Sequence, residues 1–323
     1  MFAVMLREFG PAENLSYEEV PDPVPGEGQV RIAAEISGVH LIETAMREGL
    51  PIGPPLPELP TVFGSEMAGV VDALGPGVDP GWLGARVVTA AARPGGYAEK
   101  AVAGAGDVQP IPDGVAYETA VAMIRTGATA LGMLDLAEPE PADVVLVNSA
   151  AGGIGRLLVR YAHRLGATVV GAAGGPAKVR AVRELGADVA VDYDAPGWAD
   201  EVRDALGGRR VTLAFDGVGG DKAAAALELL GDGGRFVTIG AASRENLTPD
   251  PELLKRRELT WIDALSTMLT TPGRLPELER GALEAAARGD FVPTVQTFRL
   301  ADAAAAHTAL AARATTGKVA LVP

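Results

Sequence analysis

The chain contains no cysteine. That absence removes disulfides, thiolate zinc sites and a thiol nucleophile together. Histidine is scarce as well: only His40, His163 and His307 occur, too few for a histidine-rich metal site. No apolar run approaches the length of a membrane-spanning helix, and the N-terminal MFAVMLREFG is too short and too charged for a signal peptide. The cytoplasm is therefore the expected compartment. Basic residues are outnumbered, 28 Lys and Arg against 42 Asp and Glu, for a formal net charge of -14. The resulting field repels nucleic acid and anionic membrane alike, so neither is expected as a partner. The one basic cluster, Lys255-Arg256-Arg257, reads as a solvated face.

What remains is an ordinary globular composition, 48% hydrophobic and 22% charged, in a chain of 323 residues, long enough for two domains. Its 41 glycines and 24 prolines are spread throughout, which indicates many tight turns rather than disorder.

One stretch organises the reading. Residues 143–155, DVVLVNSAAGGIG, begin as an apolar run and end in a glycine cluster. Leu157, Leu158, Tyr161, Ala162 and Leu165 then recur at helical spacing and stop at Gly166. An apolar strand, Thr168 to Ala172, follows. This is strand, tight turn, helix, strand: a βαβ unit. A pyrophosphate at the start of such a helix meets unpaired N–H groups and the positive end of the dipole. Against the G-x-G-x-x-G pattern, Ala150 holds the first place and Gly152 and Gly155 the other two. A dinucleotide site is expected, with Ala151, Gly152, Gly153, Ile154 and Gly155 against the phosphates. The alternative is a glycine-rich turn in some other α/β protein.

Residues 1–115 read as short strands separated by Pro and Gly clusters, with a short helix over 41–48. The strands expected are 3–7, 15–20, 29–38, 67–74, 86–91 and 97–102. Residues 117–136 are helical, with Gly127 interrupting the run as a break or a division into two helices. From Asp143 strands and helices alternate: strands at 143–149, 168–173, 189–193, 211–216 and 234–240, helices at 154–166, 177–186, 198–206 and 220–230. A sixth strand is expected near 258–264. The fold class is α/β, with a doubly wound parallel sheet preceded by an irregular β domain. After Pro272 a helix (275–288), a β run (292–298), an alanine-rich helix (302–313) and a last strand (318–322) are expected to return to the first domain.

Seven blocks, in order, carry a family resemblance: GVHLIETAMREG (38–49), LPTVFGSEMAGVVDALGPGV (59–78), GGYAEKAVA (95–103), TGATALGML (126–134), VLVNSAAGGIG (145–155), LGADVAVDY (185–193) and TTGKVALVP (315–323). The chain resembles the medium-chain dehydrogenase/reductase superfamily, in its zinc-free quinone oxidoreductase branch. The resemblance implies a GroES-like catalytic domain over 1–120, completed by 267–323, and a Rossmann domain over 121–266, with the nicotinamide in a cleft between them. At the positions of the superfamily's catalytic zinc ligands stand His40, Ser65 and, by counting, Arg125. Arginine is no zinc ligand and serine a poor one, so no metal site is expected. The expected reaction is hydride transfer to a quinone or an α,β-unsaturated carbonyl, whose carbon is already electrophilic.

The resemblance extends to single residues. NAD enzymes place an acid at the end of the second Rossmann strand; here that place holds Ala173, followed by Gly174 and Gly175. A carboxylate there would repel a 2′-phosphate, so NADPH is expected, with Gly174, Lys178 and Tyr193 around the adenosine phosphate. Lys178 is otherwise an ordinary exposed cation, and Arg180 is a weaker candidate for its task. Thr129 matches the threonine that packs on the nicotinamide, or else bonds back to its own helix. Gly217, Val218, Ile239 and Gly240 end parallel strands and so border the cofactor. Lys318 is placed near the nicotinamide by resemblance alone. His40 is a candidate to contact substrate or ribose, or else a structural histidine; Arg125 is a candidate cation for orienting substrate. The tyrosines that the branch often carries after the His40 position are missing, Ala45 and Pro51 standing there. This leaves enones and enals open beside quinones. A homodimer through the strand near 258–266 is a family expectation. A non-catalytic NADP-binding protein, with a redox-sensing or structural role, is the alternative.

Overall fold

The structure is a computed structural model describing residues Met1–Pro323. It divides into two units: Met1–Arg125 with Ala282–Pro323, and Thr126–Gly281. The chain enters with β1 (Phe2–Leu6), β2 (Leu15–Glu19), β3 (Gln29–Val39), α1 (Leu41–Arg47), β4 (Thr61–Val62), β5 (Glu66–Leu74), β6 (Arg86–Thr89), β7 (Lys100–Gly104), β8 (Val108–Pro110) and α2 (Tyr117–Ala122). Then follow α3 (Ala128–Ala137), β9 (Val144–Asn148), α4 (Gly153–Leu165), β10 (Thr168–Ala173), α5 (Pro176–Glu184), β11 (Val189–Asp192), α6 (Trp198–Ala205), β12 (Val211–Asp216), α7 (Gly220–Leu229), β13 (Leu230–Thr238), α8 (Pro251–Arg256), β14 (Thr260–Asp263) and α9 (Ala264–Thr270). The last elements are α10 (Arg274–Ala287), β15 (Val295–Arg299), α11 (Ala303–Ala311) and β16 (Lys318–Val322).

The first unit contains a three-stranded sheet, β2-β1-β4, and a larger sheet ordered β15-β16-β3-β5-β6-β8, with β7 also on β3. The C-terminal strand therefore returns to this unit, β16 lying antiparallel to β3 with Val319 opposite Val39. β3 is long enough, at 11 residues, to serve β16, β5 and β7, and register shifts at Arg31/Ile32 and Ala34/Ile36 bend it to do so. Separate apolar cores result. One gathers Val4, Leu6, Phe63, Tyr97, Leu300 and Ala306; another gathers Ile32, Met67, Val71, Val87 and Ala101. Residues 97–99 are not strand, against expectation: Tyr97 sits in a bend, donating its N–H to Phe63 (2.8 Å) and accepting from Val4 (2.9 Å).

The second unit carries a six-stranded sheet ordered β11-β10-β9-β12-β13-β14, every pairing parallel. This is the doubly wound order in which the chain reverses beside its first strand. β9 is buried at all five positions. Val144, Leu146, Val170 and Ala172 pack with Trp198, Val202, Ala223 and Ala226 of α6 and α7. Alternation along the strands sends their neighbours to the other face.

Near Gly127 the run divides into two helices, α2 and α3, joined without a gap by a π-helical segment, Met123–Gly127. Three details depart from the sequence reading. The joined run Tyr117–Ala137 is, by length and composition, apolar enough to cross a membrane, which no run was expected to be; 67% of its apolar window is buried within the protein's own core. α8 and α9 were not anticipated; they are six and seven residues long, too short for a periodic signal. The units meet along the chain at 125/126 and 281/282, rather than at 120/121 and 266/267. α9 and the first turns of α10 stay with the second unit, where Met268 and Leu278 pack against Gly132.

Candidate active site

Register builds a charged cluster in the first unit. β16, β3 and β5 are adjacent, with Val319 opposite Val39 and Gly38 opposite Glu66. These pairings bring Lys318, His40 and Glu66 to one end of three strands. Lys318 Nζ lies 3.1 Å from Glu66 Oε2 and 3.1 Å from His40 Nε2, and His40 Nε2 also contacts Glu66 Oε2. Glu66 is wholly buried and Lys318 nearly so, while His40 keeps one side open. Gly38 makes the approach possible: a Cβ there would stand 2.5 Å from Glu66 Oε1. Burial by itself would raise the Glu66 carboxyl; Lys318 and His40 outweigh it and hold it down at about 2. A carboxylate, an imidazole and an ammonium within mutual reach can take up or hand on a proton.

Behind His40 runs a second chain of polar contacts. Glu43 accepts from the His40 backbone N–H (2.8 Å) and from the Tyr97 hydroxyl (2.6 Å). Tyr97 Oη lies 3.0 Å from His307 Nε2. Because the Tyr97 proton goes to Glu43, His307 donates through Nε2, which leaves Nδ1 as the unprotonated nitrogen, buried and without a partner. Burial, with the charge of Arg47, pushes the His307 imidazole down to about 3. Burial, with Glu43, pushes the Tyr97 hydroxyl well up.

These donors do not suit zinc. His40 Nε2 faces the Lys318 ammonium, which is paired with Glu66. Nowhere do three or more His, Asp or Glu side chains stand together as metal ligands.

The second unit presents the turn. β9 ends at Asn148, and Ser149 takes a left-handed φ of 59°. Ala150 N–H binds Ala172 O (3.0 Å), and Gly152 N–H binds Ser149 O (2.9 Å). Gly152 caps α4 with no side-chain bond, leaving the leading N–H groups of the helix to an anion. A Cβ on Gly155 would stand 2.2 Å from Ser149 O, so glycine is required for helix and strand to meet. Ala151 is buried. Gly153 and Ile154 open α4 and are half-buried.

At the neighbouring strand ends, Asn148 Nδ2 donates to Asp216 Oδ1 (2.8 Å), and Gly219 N–H donates to Asp216 Oδ2 (3.0 Å). Burial raises the Asp216 carboxyl against these donors. The loop they pin, Gly217-Val218, is paired with the loop after β13: Ala242 N–H binds Gly217 O (3.0 Å) and Ser243 N–H binds Val218 O (2.8 Å). Ile239 and Gly240 lead into that loop. β10 ends in buried Ala173. Gly174 and Gly175 follow it, and Lys178 lies in the first turn of α5. Tyr193 follows β11 and is nearly buried. Arg125 lies in the π-helical segment and Thr129 at the start of α3, both half-buried.

Sequence reasoning named His40 and Lys318 but not their link. It passed over Glu66, although the residue stands beside the noted Ser65, and over Glu43, Tyr97 and His307. The one available signal was Gly38, a strand glycine two residues before His40.

A GroES-like β unit combined with a 3-2-1-4-5-6 Rossmann sheet defines a medium-chain dehydrogenase/reductase architecture. Residues 26–116 match the alcohol dehydrogenase GroES-like domain and residues 153–280 the zinc-binding dehydrogenase domain. The chain is 32% identical to a quinone oxidoreductase of Pseudomonas aeruginosa, over 99% of each chain. It is 31% identical to a 2-haloacrylate reductase of a Burkholderia species, over 100% of this chain and 99% of the relative. Among solved structures it is similar to the Escherichia coli quinone oxidoreductase complexed with NADPH (TM-score 0.88, 28% identity, 100% of both chains). A mycobacterial protein complexed with NADPH is also similar (TM-score 0.87, 34% identity, 100% of both chains). The chain belongs to the medium-chain dehydrogenase/reductase superfamily of oxidoreductases, as a quinone oxidoreductase-like member.

Proposed function

We propose that this protein is an NADPH-dependent, metal-free reductase that delivers hydride to a quinone or an α,β-unsaturated carbonyl. The observation that carries the reading is the strand end at Ala173, a buried methyl beside two glycines where a carboxylate would refuse a 2′-phosphate. The turn at Gly152–Gly155 supports it, since a side chain at Gly155 would close the approach. The NADPH complexes of two similar structures, and relatives that reduce quinones or haloacrylate, point the same way.

In this reading Ala151–Gly155 hold the pyrophosphate through backbone N–H groups. Gly174, Lys178 and Tyr193 hold the adenosine 2′-phosphate. Gly217, Val218, Ile239 and Gly240 border the cofactor, and Thr129 and Lys318 stand by the nicotinamide. When bound, NADPH supplies the hydride. His40 and Arg125 orient the electrophile, and His40 holds a proton for the reduced product; its contacts with Glu66 and Lys318 support that role. We also propose a homodimer through β14, the strand at one edge of the second sheet.

The test is oxidation of NADPH and of NADH against a panel of quinones, enones and enals, with and without a chelator. Turnover with NADPH that survives chelation supports the reading. Loss on chelation removes the metal-free part, and a strong preference for NADH removes the cofactor assignment. Tight NADPH binding without turnover on any substrate leaves a binding protein instead.

A further inference from the structure

The carboxyl ends of β10 and β11 carry a charge arrangement that the pyrophosphate turn does not use. Lys222, in the first turn of α7, holds its ammonium 4.2 Å from the centre of the Tyr193 ring. The same ammonium pairs with the Asp194 carboxylate. Asp194 stands close against Gly174: a Cβ on that glycine would lie 2.3 Å from Asp194 Oδ2 and 3.2 Å from Tyr193 Cε2. The backbone here is fixed independently. Asp192 Oδ1 accepts from Gly175 N–H (2.9 Å) and Asp194 N–H (3.0 Å), so the Asp192 carboxylate is committed to the two turns. The start of α7 is anchored too, because Asn148 Nδ2 donates to the Lys222 carbonyl (3.2 Å). The space beside Gly174 thus holds one exposed carboxylate and one ammonium seated on an aromatic face.

The two partners of Lys222 differ in permanence. The Tyr193 ring is nearly buried and stays in place. Asp194 is 55% exposed, and a pair so open to water exchanges its partner readily. A phosphate near its second ionisation carries close to two negative charges and three acceptor oxygens, a stronger partner for an ammonium than one carboxylate. A cation held by a ring face does not need the carboxylate to stay positioned.

We propose that Lys222 binds the 2′-phosphate of NADPH, and that Asp194 is its partner only until the phosphate displaces it. The inference rests on the NADPH reading above and adds a residue and an exchange to it. The arriving phosphate repels Asp194, which swings into water, and takes over the ammonium. A cofactor with a free 2′-hydroxyl makes no such exchange and leaves the Lys222–Asp194 pair intact. The ammonium then rewards only the phosphorylated cofactor.

Calorimetry on the full chain with 2′,5′-ADP and 5′-AMP tests this without turnover. Lys222→Met should weaken 2′,5′-ADP by roughly tenfold or more, the usual loss when a charged hydrogen bond disappears, and leave 5′-AMP unchanged. Asp194→Asn should tighten 2′,5′-ADP and leave 5′-AMP unchanged. Equal losses for both nucleotides in Lys222→Met would show that the lysine merely supports the start of α7, and would overturn the proposal. So would an unchanged 2′,5′-ADP affinity, or weaker 5′-AMP binding in Asp194→Asn, which would make Asp194 the acceptor for a ribose hydroxyl. If the unmodified protein itself binds both nucleotides equally, the NADPH reading fails. If it prefers 2′,5′-ADP and Lys222→Met does not alter that preference, only the exchange at Lys222 fails.

Discussion

Lys318 Nζ and Glu66 Oε2 lie 3.1 Å apart although 252 residues separate them in the chain, and the two side chains are 4% and 0% exposed. Removing one partner leaves the other charge poorly compensated in the interior, Glu66 then keeping only His40. Lys318→Met should cost about 3–5 kcal/mol, the usual range for breaking a buried pair. The double substitution Glu66→Leu with Lys318→Met should recover much of the loss, because it removes both charges. Urea denaturation of the three proteins checks this; a double variant no better than Lys318→Met counts against an ion-pair origin. The pH dependence follows in sign. The Glu66 carboxyl is held at about 2, below its ordinary 4.5, so its contribution is present above about 4.5 and is lost as pH falls toward 2.

His307 gives a second acid limb. Burial and Arg47 hold its imidazole at about 3, against an ordinary 6.5. The folded protein keeps it neutral while the unfolded chain binds a proton. Its contribution is complete above about pH 6.5 and is lost progressively as pH falls toward 3. The slope is at most about 1.4 kcal/mol per pH unit. His307→Gln can still donate to Tyr97 but does not titrate. Its stability should decline less steeply than the parent's between pH 6.5 and 4.5, read from denaturation midpoints across that window. Parallel curves would sink the assignment.

Two glycines of the Rossmann unit separate space from backbone conformation. Gly155→Ala places a Cβ 2.2 Å from the Ser149 carbonyl oxygen, which belongs to the turn itself. It should cost about 1–3 kcal/mol, the range for overpacking, and weaken nucleotide binding as the turn shifts. Gly166→Ala meets nothing within 4 Å, but φ there is +87° at the end of α4. It should cost about 1 kcal/mol for the left-handed conformation and leave nucleotide binding alone. Thermal unfolding and calorimetry with NADPH distinguish the two.

At Ala173 a carboxylate can be supplied. Ala173→Asp sets a negative charge at the strand end, with Asp192 opposite in register. NADPH should bind roughly tenfold or more weakly, with NADH much less affected. Dissociation constants for both cofactors measure it, and equal loss of the two would instead report local damage.

The Rossmann unit was legible because its signals are local. Val144–Asn148, the glycines after it and the periodic Leu157, Leu158 and Ala162 lie within one βαβ unit, and each fixes its neighbour's conformation. The element boundaries at 168–173 and 211–216 agree with the structure for the same reason. The N-terminal strands were legible as short runs, but their pairing was not. Nothing between Glu66 and Lys318 says that β16 will lie beside β3.

By itself, the sequence determined the order of elements, the place of the glycine turn between β9 and α4, the small residue Ala173 at the end of β10 and the lack of thiols, all properties of neighbouring residues or of composition. Only the tertiary structure decided that Lys318 pairs with Glu66 beside His40, that Tyr97 and His307 stand behind Glu43, and that Lys222 reaches Tyr193 and Asp194. Those contacts depend on register between strands and on helix docking. Both are set by burying apolar faces far apart in the chain, and no local spacing encodes them.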